Sequence, residues 1–383
     1  MKKAFLLFVL FFSSLIVFSQ VKKDTYELNS INNLLTEEVK TVITHNISEK
    51  QTIFLGESVH YSGSDFLAKT EFIKYLVTEH GYKDIAFESD FFALLFDHNK
   101  QNLYSMWSKS KQCKELFEFL EHNNVTIWGF DNKLYSSFSY YHFTEKLSEI
   151  LKENDTDLSL EFKRLIKLMI KHQYNSREVI SQEEVDYLKK YTKELQTNEI
   201  IKTNEIWNQI LKSVESAIEL YTFKDNSSDK NRISIRDKQM AINLDFFVKT
   251  NPDKKFMVWL ANAHMSKSNR AFMKGQTMGC QFRLLNPNSS YHIAFGAIRS
   301  IERNEKDIIK AHKKRNSILS LLPSVETNYF LDASKMISNS ISLRNKVFND
   351  MYIFNLPTNK TALLHHFDAL VFIAQGEEVS YEK

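Results

Sequence analysis

The sequence predicts an α/β fold: a mostly parallel sheet flanked by helices, carrying a helical insertion or lid. Three observations carry this reading. Short apolar runs recur along the chain and stop abruptly at polar residues. A strand, helix, strand spacing opens the globular part. A long stretch rich in Lys, Glu, Asn and Leu, about residues 135–250, then interrupts the strands. With 383 residues, 43% hydrophobic and 25% charged, the chain can bury a sizeable core in one large domain.

Residues 1–20 put Lys2 and Lys3 ahead of an unbroken apolar and small-residue run ending at Ser19-Gln20. That order is expected of a secretory signal peptide, cleaved to leave one domain over residues 21–383 that is exported to the periplasm or secreted. An uncleaved anchor helix is the alternative, since the run is near the minimum length for a span. After cleavage no stable membrane insertion is expected. Losing Lys2 and Lys3 takes the formal charge from +3 to +1. So weak a charge gives no case for nucleic acid as a partner. A monomer is expected. Cys113 and Cys280 are the only cysteines, enough for one disulfide but for neither a framework nor a cysteine metal site.

The strand candidates are 52–56, 84–89, 125–130, 255–261, 291–297 and 369–373. Between the first two, residues 65–81 combine a Ser64-Asp65 start signal, a helical apolar stripe and a Gly81 stop. The result is a βαβ unit, and continuous apolar strands fit a sheet covered on both faces. In the insertion, Ile206, Ile210, Val214, Ala217 and Tyr221 repeat at helical spacing.

Four of the strand candidates end in ionisable residues, in FLG-ESVH, IAF-ESD, IWGF-DN and VWLAN-AH. The carboxyl ends of parallel strands share one rim, where ligands bind. Glu57, His60, Glu88, Asp131 and His264 would converge there, with Asp131 and Asn262 expected to touch substrate. One strand ending in polar residues is ordinary; four of them point to a site. Lys69 and Arg236 each interrupt an apolar helical stripe near a helix start. Such a cation either snorkels to solvent or reaches a carboxylate-rich cleft, and the pattern leaves both open. P-loop, dinucleotide-binding, HExxH and CxxC motifs are absent. GQTMG at 275–279 has a threonine where a nucleophile elbow has serine and no convincing strand before it, so it reads as a loop.

LGESVH, Lys69, GYKDIAFESDFF, GFDN, RDKQMAINL, VWLANAH and TMG occur in the order seen in the erythromycin esterase family, which the chain resembles from about Ile53 to Gly279. It looks closest to the broad branch with lysine at position 69, where macrolide-hydrolysing members carry arginine. The resemblance implies a metal-independent hydrolase that opens a carboxylic ester or lactone with activated water and needs no cofactor. It implies that His60 is the general base, with Glu57 in the same turn. Glu88, His264, Lys69 and Arg236 match the other catalytic positions. The chemistry agrees: histidine titrates nearest the working pH, a carboxylate fixes its tautomer, and a cation such as Lys69 can stabilise an oxyanion. Two other readings stay open. One is a metal-dependent hydrolase using the histidines with Glu57, Glu88 and Asp131 as ligands. The other is a non-catalytic protein that binds haem or a glycan.

Overall fold

A computed structural model describes residues 24–172, 180–220, 230–268, 276–348, 352–354 and 361–381. The expected signal segment, Tyr221 and Gly275 lie outside these residues. Among the described residues no helix is long and apolar enough to cross a membrane.

Eight strands form one sheet: β1 (Thr25–Leu28), β2 (Thr52–Glu57), β3 (Asp84–Asp90), β4 (Thr126–Asp131), β5 (Phe256–Ala261), β6 (Ser290–Arg299), β7 (Asn328–Asp332) and β8 (Ala369–Gln375). Their order is β1-β7-β8-β6-β2-β5-β3-β4. From β8 to β4 every neighbouring pair is parallel, and β7 runs antiparallel to both β8 and β1. The six expected strands are all present, and they are the six parallel ones. β1 and β7 were not expected; both are short and lie towards the antiparallel edge.

Side chains alternate across the sheet as the pleat requires. Phe54, Val258, Leu260 and Phe372 enter the core on one face; Ile53, Leu55, Trp259 and Ile373 enter the core on the other. Each such fully buried side chain contributes roughly 1.5–3 kcal/mol. The first face is covered by the insertion, whose main helices are Ser137–Lys152, Leu160–Lys171, Gln182–Thr197, Glu205–Leu220 and Lys230–Thr250. Leu147, Phe162, Leu188, Ile210 and Met240 pack in the same core as Phe54 and Val258, so the insertion is a structural layer on the sheet. In helix 205–220, Ile210, Val214 and Ala217 are buried as expected, but Ile206 at the first turn is exposed.

The second face is covered by helices Glu37–Ile47, Gly63–His80 and Lys114–His122. Helix 63–80 starts two residues before the expected Asp65 and stops at Gly81, whose φ of 69° suits glycine. Asp65 does not cap it. Its Oδ2 instead accepts from the backbone N–H and the hydroxyl of Ser58, both at 2.8 Å, tying the helix to the turn after β2. Cys113 and Cys280 are both buried and free, so the possible disulfide is not formed.

Candidate active site

The strand order puts β2, β5, β3 and β4 side by side, so their carboxyl ends share one stretch of rim. Glu57 closes β2 and pairs in register with Ala261 at the end of β5. Glu88 sits where the β3–β4 register shifts, between Phe87 and Asp90. Such an irregularity re-aims a side chain. Gly56, within β2, lets the turn after β5 pack against the strand: a Cβ there would lie 2.1 Å from Asn262 Oδ1 and 2.7 Å from the Met265 side chain.

One half of the site gathers around Glu57. Its Oε1 accepts from His60 Nδ1 at 3.1 Å, and its Oε2 pairs with Lys69 Nζ. Lys69 also lies over the Trp259 ring, 3.6 Å from the centroid. Of the two routes open to Lys69, it takes the one inward, towards a carboxylate. Burial draws its pKa down to about 8 in spite of the Glu57 charge. The His60 ring stands edge-on to Trp107. Burial works against the His60 imidazolium. The Glu57 hydrogen bond and the charges of Glu88 and Glu57 outweigh it and raise the pKa.

The other half gathers around Arg236. Its Nη2 bonds Glu88 Oε1 at 2.7 Å and Asp131 Oδ2 at 2.6 Å, and its Nε bonds Asp131 Oδ1 at 3.0 Å. This planar bridge between two carboxylates is a geometry lysine lacks. Arg236 Nη1 also lies 3.2 Å from His264 Nε2. On its other side His264 Nδ1 meets Asp237 Oδ1 at 2.8 Å, and Asp237 Oδ2 accepts from the Met278 N–H. Burial disfavours a charged His264, but Asp237 and Glu88 outweigh it and raise its pKa. Glu88 is driven the opposite way. Burial would raise its pKa, yet the charges of His264 and Arg236 hold it well below the usual carboxylate range.

The two halves meet electrostatically: Glu88 and His264 both act on the charge of His60. Four carboxylates, Glu57, Glu88, Asp131 and Asp237, outnumber the two cations Lys69 and Arg236, so both histidines are drawn towards holding a proton. The side chains differ sharply in access. His60 is 39% exposed, His264 17% and Arg236 14%, while Glu57, Lys69, Asp131 and Asp237 are fully enclosed. Among the described residues no group of three or more His, Cys, Asp or Glu side chains is placed to hold a metal. Glu57 faces Lys69, Glu88 and Asp131 face Arg236, and Asp237 faces His264.

Three expectations need correction. Asn262, expected to touch substrate, is wholly buried, and its Nδ2 donates to the carbonyls of Phe295 and Ile353, both at 2.7 Å. It joins the end of β5 to its surroundings. Asp131 is also enclosed, with both oxygens on Arg236, so it holds the arginine and does not meet substrate directly. Lys69 is sealed against Glu57 and Trp259, so it is not placed to meet an oxyanion. Asp237 was missed: it adjoins Arg236 in the RD pair but lies off the apolar stripe that drew attention to the arginine. Thr277 of the GQTMG stretch donates its hydroxyl to the Ser266 carbonyl, immediately before helix Met278–Leu285.

A family model described as erythromycin esterase matches residues 77–376. The match begins after Lys69 and runs well past Gly279, taking in Glu88, Asp131, Arg236, Asp237 and His264. YbfO of Bacillus subtilis strain 168, which carries the name of a hydrolase, is 24% identical over 271 residues. That alignment covers 59% of this chain and 58% of the relative, so the chain spans little more than half of YbfO's length. Three solved structures share the fold. A Bacillus cereus protein has a TM-score of 0.71 at 17% identity, over 96% of this chain and 98% of its own. A succinoglycan biosynthesis protein also has 0.71, at 16% identity over 95% and 97%. A mutant of the erythromycin esterase EreC in its open conformation has 0.67, at 16% identity over 92% and 98%. With its model matched over most of the length and its fold shared, the chain belongs to the erythromycin esterase family.

Proposed function

We propose that the protein is a hydrolase that cleaves a carboxylic ester or lactone of a small molecule with water activated by His60. The observation that carries this is the contrast in access: His60 is the most exposed ionisable side chain in a cluster whose carboxylates are sealed. Its Nδ1–H is committed to Glu57 Oε1. In the neutral ring, Nε2 then keeps the lone pair that can take a proton from water. Lys69, itself packed on the Trp259 ring, holds Glu57 in place from behind.

The proton balance closes with His264. Neutral His60 takes a proton as water adds to the carbonyl carbon. The tetrahedral oxyanion forms near Arg236 and a protonated His264, the two cationic groups with partial access. As the carbon–oxygen bond breaks, His264 Nε2–H supplies the proton to the leaving alcohol. Exchange with solvent returns both histidines to their starting states. Asp237 holds the proton on Nδ1, so the proton that the His264 imidazolium gives up is the one on Nε2.

The purified protein should hydrolyse members of a panel containing p-nitrophenyl acetate, simple lactones and erythromycin. His60→Ala should lower kcat/KM about 10²–10⁴-fold with an unchanged circular dichroism spectrum. Full activity in the variant sinks the general-base role; loss of wild-type activity with a chelator, restored by zinc or manganese, favours a metal-dependent route. Export belongs to the same reading, and N-terminal sequencing of protein recovered outside the cytoplasm tests it: an intact Met1 overturns it.

A further inference from the structure

We propose that the segment after β8, residues 376–381, is a strap that positions the His60 turn, with Gln112 as its anchor. The inference rests on the reading of His60 as the base. The strap lies between two stretches of chain and bonds to both. On one side the N–H groups of Gly63 and Ser64 donate to the Glu377 carbonyl at 2.8 and 3.3 Å, and Val379 N–H donates to the Tyr61 carbonyl at 3.0 Å. Ser62 and Glu378 form an antiparallel bridge there. On the other side Lys111 N–H donates to the Ser380 carbonyl at 2.8 Å, and Ser110 bridges Tyr381.

Gln112 fixes this arrangement with one side chain. Its Nε2 lies within bonding distance of Glu377 Oε1, the Glu378 carbonyl and Ser380 Oγ, at 2.9, 3.3 and 3.1 Å. Its Oε1 accepts from Ser380 N–H at 3.0 Å. Both ends of the amide are used, and the side chain is buried. Such a group has one orientation that satisfies it, so it sets the register of the strap.

The consequence falls on His60. Asp65 holds the turn at Ser58, just before the histidine. The strap holds it at Tyr61, Gly63 and Ser64, just after. His60 projects between two pinned points, with Trp107 from the neighbouring segment against its ring. Neither the strap nor Gln112 touches substrate in this reading; both act through the turn. The sequence carries a matching requirement at Gly63. A Cβ there would lie 2.9 Å from the Glu378 carbonyl oxygen and 3.1 Å from Gln112 Cγ. The strap can lie this close only over a glycine.

The test uses the full chain and two variants. Gly63→Ala pushes the strap away while favouring the helix it begins. Gln112→Ala removes the anchor. The His60 titration is followed by NMR, its resonance assigned by difference from His60→Ala. If the strap positions His60, both variants loosen the Glu57 bond. The His60 pKa then falls back towards about 6.5. With p-nitrophenyl acetate, kcat falls at least about 10-fold while KM changes less, as for a misplaced catalytic group. Circular dichroism confirms the fold. A His60 titration identical to wild type in both folded variants overturns the strap. Hydrolysis that survives His60→Ala overturns the functional reading instead, and the NMR titration still reports whether the strap holds the turn.

Discussion

His264 and Asp237 meet at 2.8 Å, Nδ1 to Oδ1, with the carboxylate wholly enclosed. An enclosed acceptor on Nδ1 fixes which nitrogen carries the proton and supports the imidazolium. Asp237→Asn removes the charge and disturbs that choice. The His264 pKa should fall, and kcat should drop at least about 10²-fold, the lower end for a positioned proton donor. The raised His264 pKa also has a stability consequence of definite sign. Its contribution is full below the unfolded value near 6.5. It is lost as pH rises through the folded value. Urea melts should therefore show Asp237→Asn more destabilised at pH 6 than at pH 9, and equal losses at both would refute the pairing.

Under the proposed mechanism activity should depend on pH through three groups: His60 neutral, His264 protonated and Lys69 charged. The His60 base must be neutral, and its pKa is raised, so the rate should climb with a midpoint above the ordinary histidine value. Lys69 loses its charge near pH 8, and with it the cation that holds Glu57. The rate should then fall on the alkaline side. Lys69→Arg keeps the charge at every working pH and should shift that falling limb upward. An unmoved limb assigns the decline to loss of the His264 proton.

Removing Arg236 strands two buried carboxylates at once. Arg236→Ala should cost about 3–5 kcal/mol in a denaturant melt, as expected when one partner of a buried ion pair is lost. Arg236→Lys should recover only part of this, since one ammonium cannot reproduce the bridge from Glu88 to both oxygens of Asp131. Full recovery by lysine would mean that charge alone matters.

Asn262→Ala separates structure from substrate contact. It leaves the Phe295 and Ile353 carbonyls without their donor, at a cost of about 1–3 kcal/mol. Tm should drop while KM on any substrate found stays near wild type. A raised KM without loss of Tm would restore Asn262 as a contact residue.

What the sequence made legible follows from where each signal resides. A parallel strand buried on both faces is a continuous apolar run, and a polar rim cuts it off sharply; residues 52–57 and 256–261 announce themselves in this way. β1 has four residues, of which Tyr26 and Glu27 are not buried, and the apolar run of β7 is only Tyr329, Phe330 and Leu331, too short to stand out. Lys69 and Arg236 stood out because they break apolar stripes. Asp237 breaks none, and only the position of His264 in space shows its partner. Asn262 and His264 both follow β5 and looked alike as strand-end polar residues. Whether such a residue faces a cleft or ties two backbones together depends on what lies across from it, here Phe295 and Ile353, which are distant in sequence.

The strand order also governs when the protein can become active during its own synthesis. β2 and β3 follow each other in the chain but are not neighbours; β5 slots between them, and a contact such as Lys254 with Asp84 closes a separation of 170 positions. At about 5–20 residues per second, a ribosome takes roughly 10–30 s to supply that missing strand. Until then Glu57 and Glu88 have no common wall, and Arg236, Asp237 and His264 have not all been made. A nascent chain stopped in the insertion therefore holds an unfilled sheet, with β2 unpaired on both sides and β3 unpaired on one, the form most open to chaperones and to aggregation.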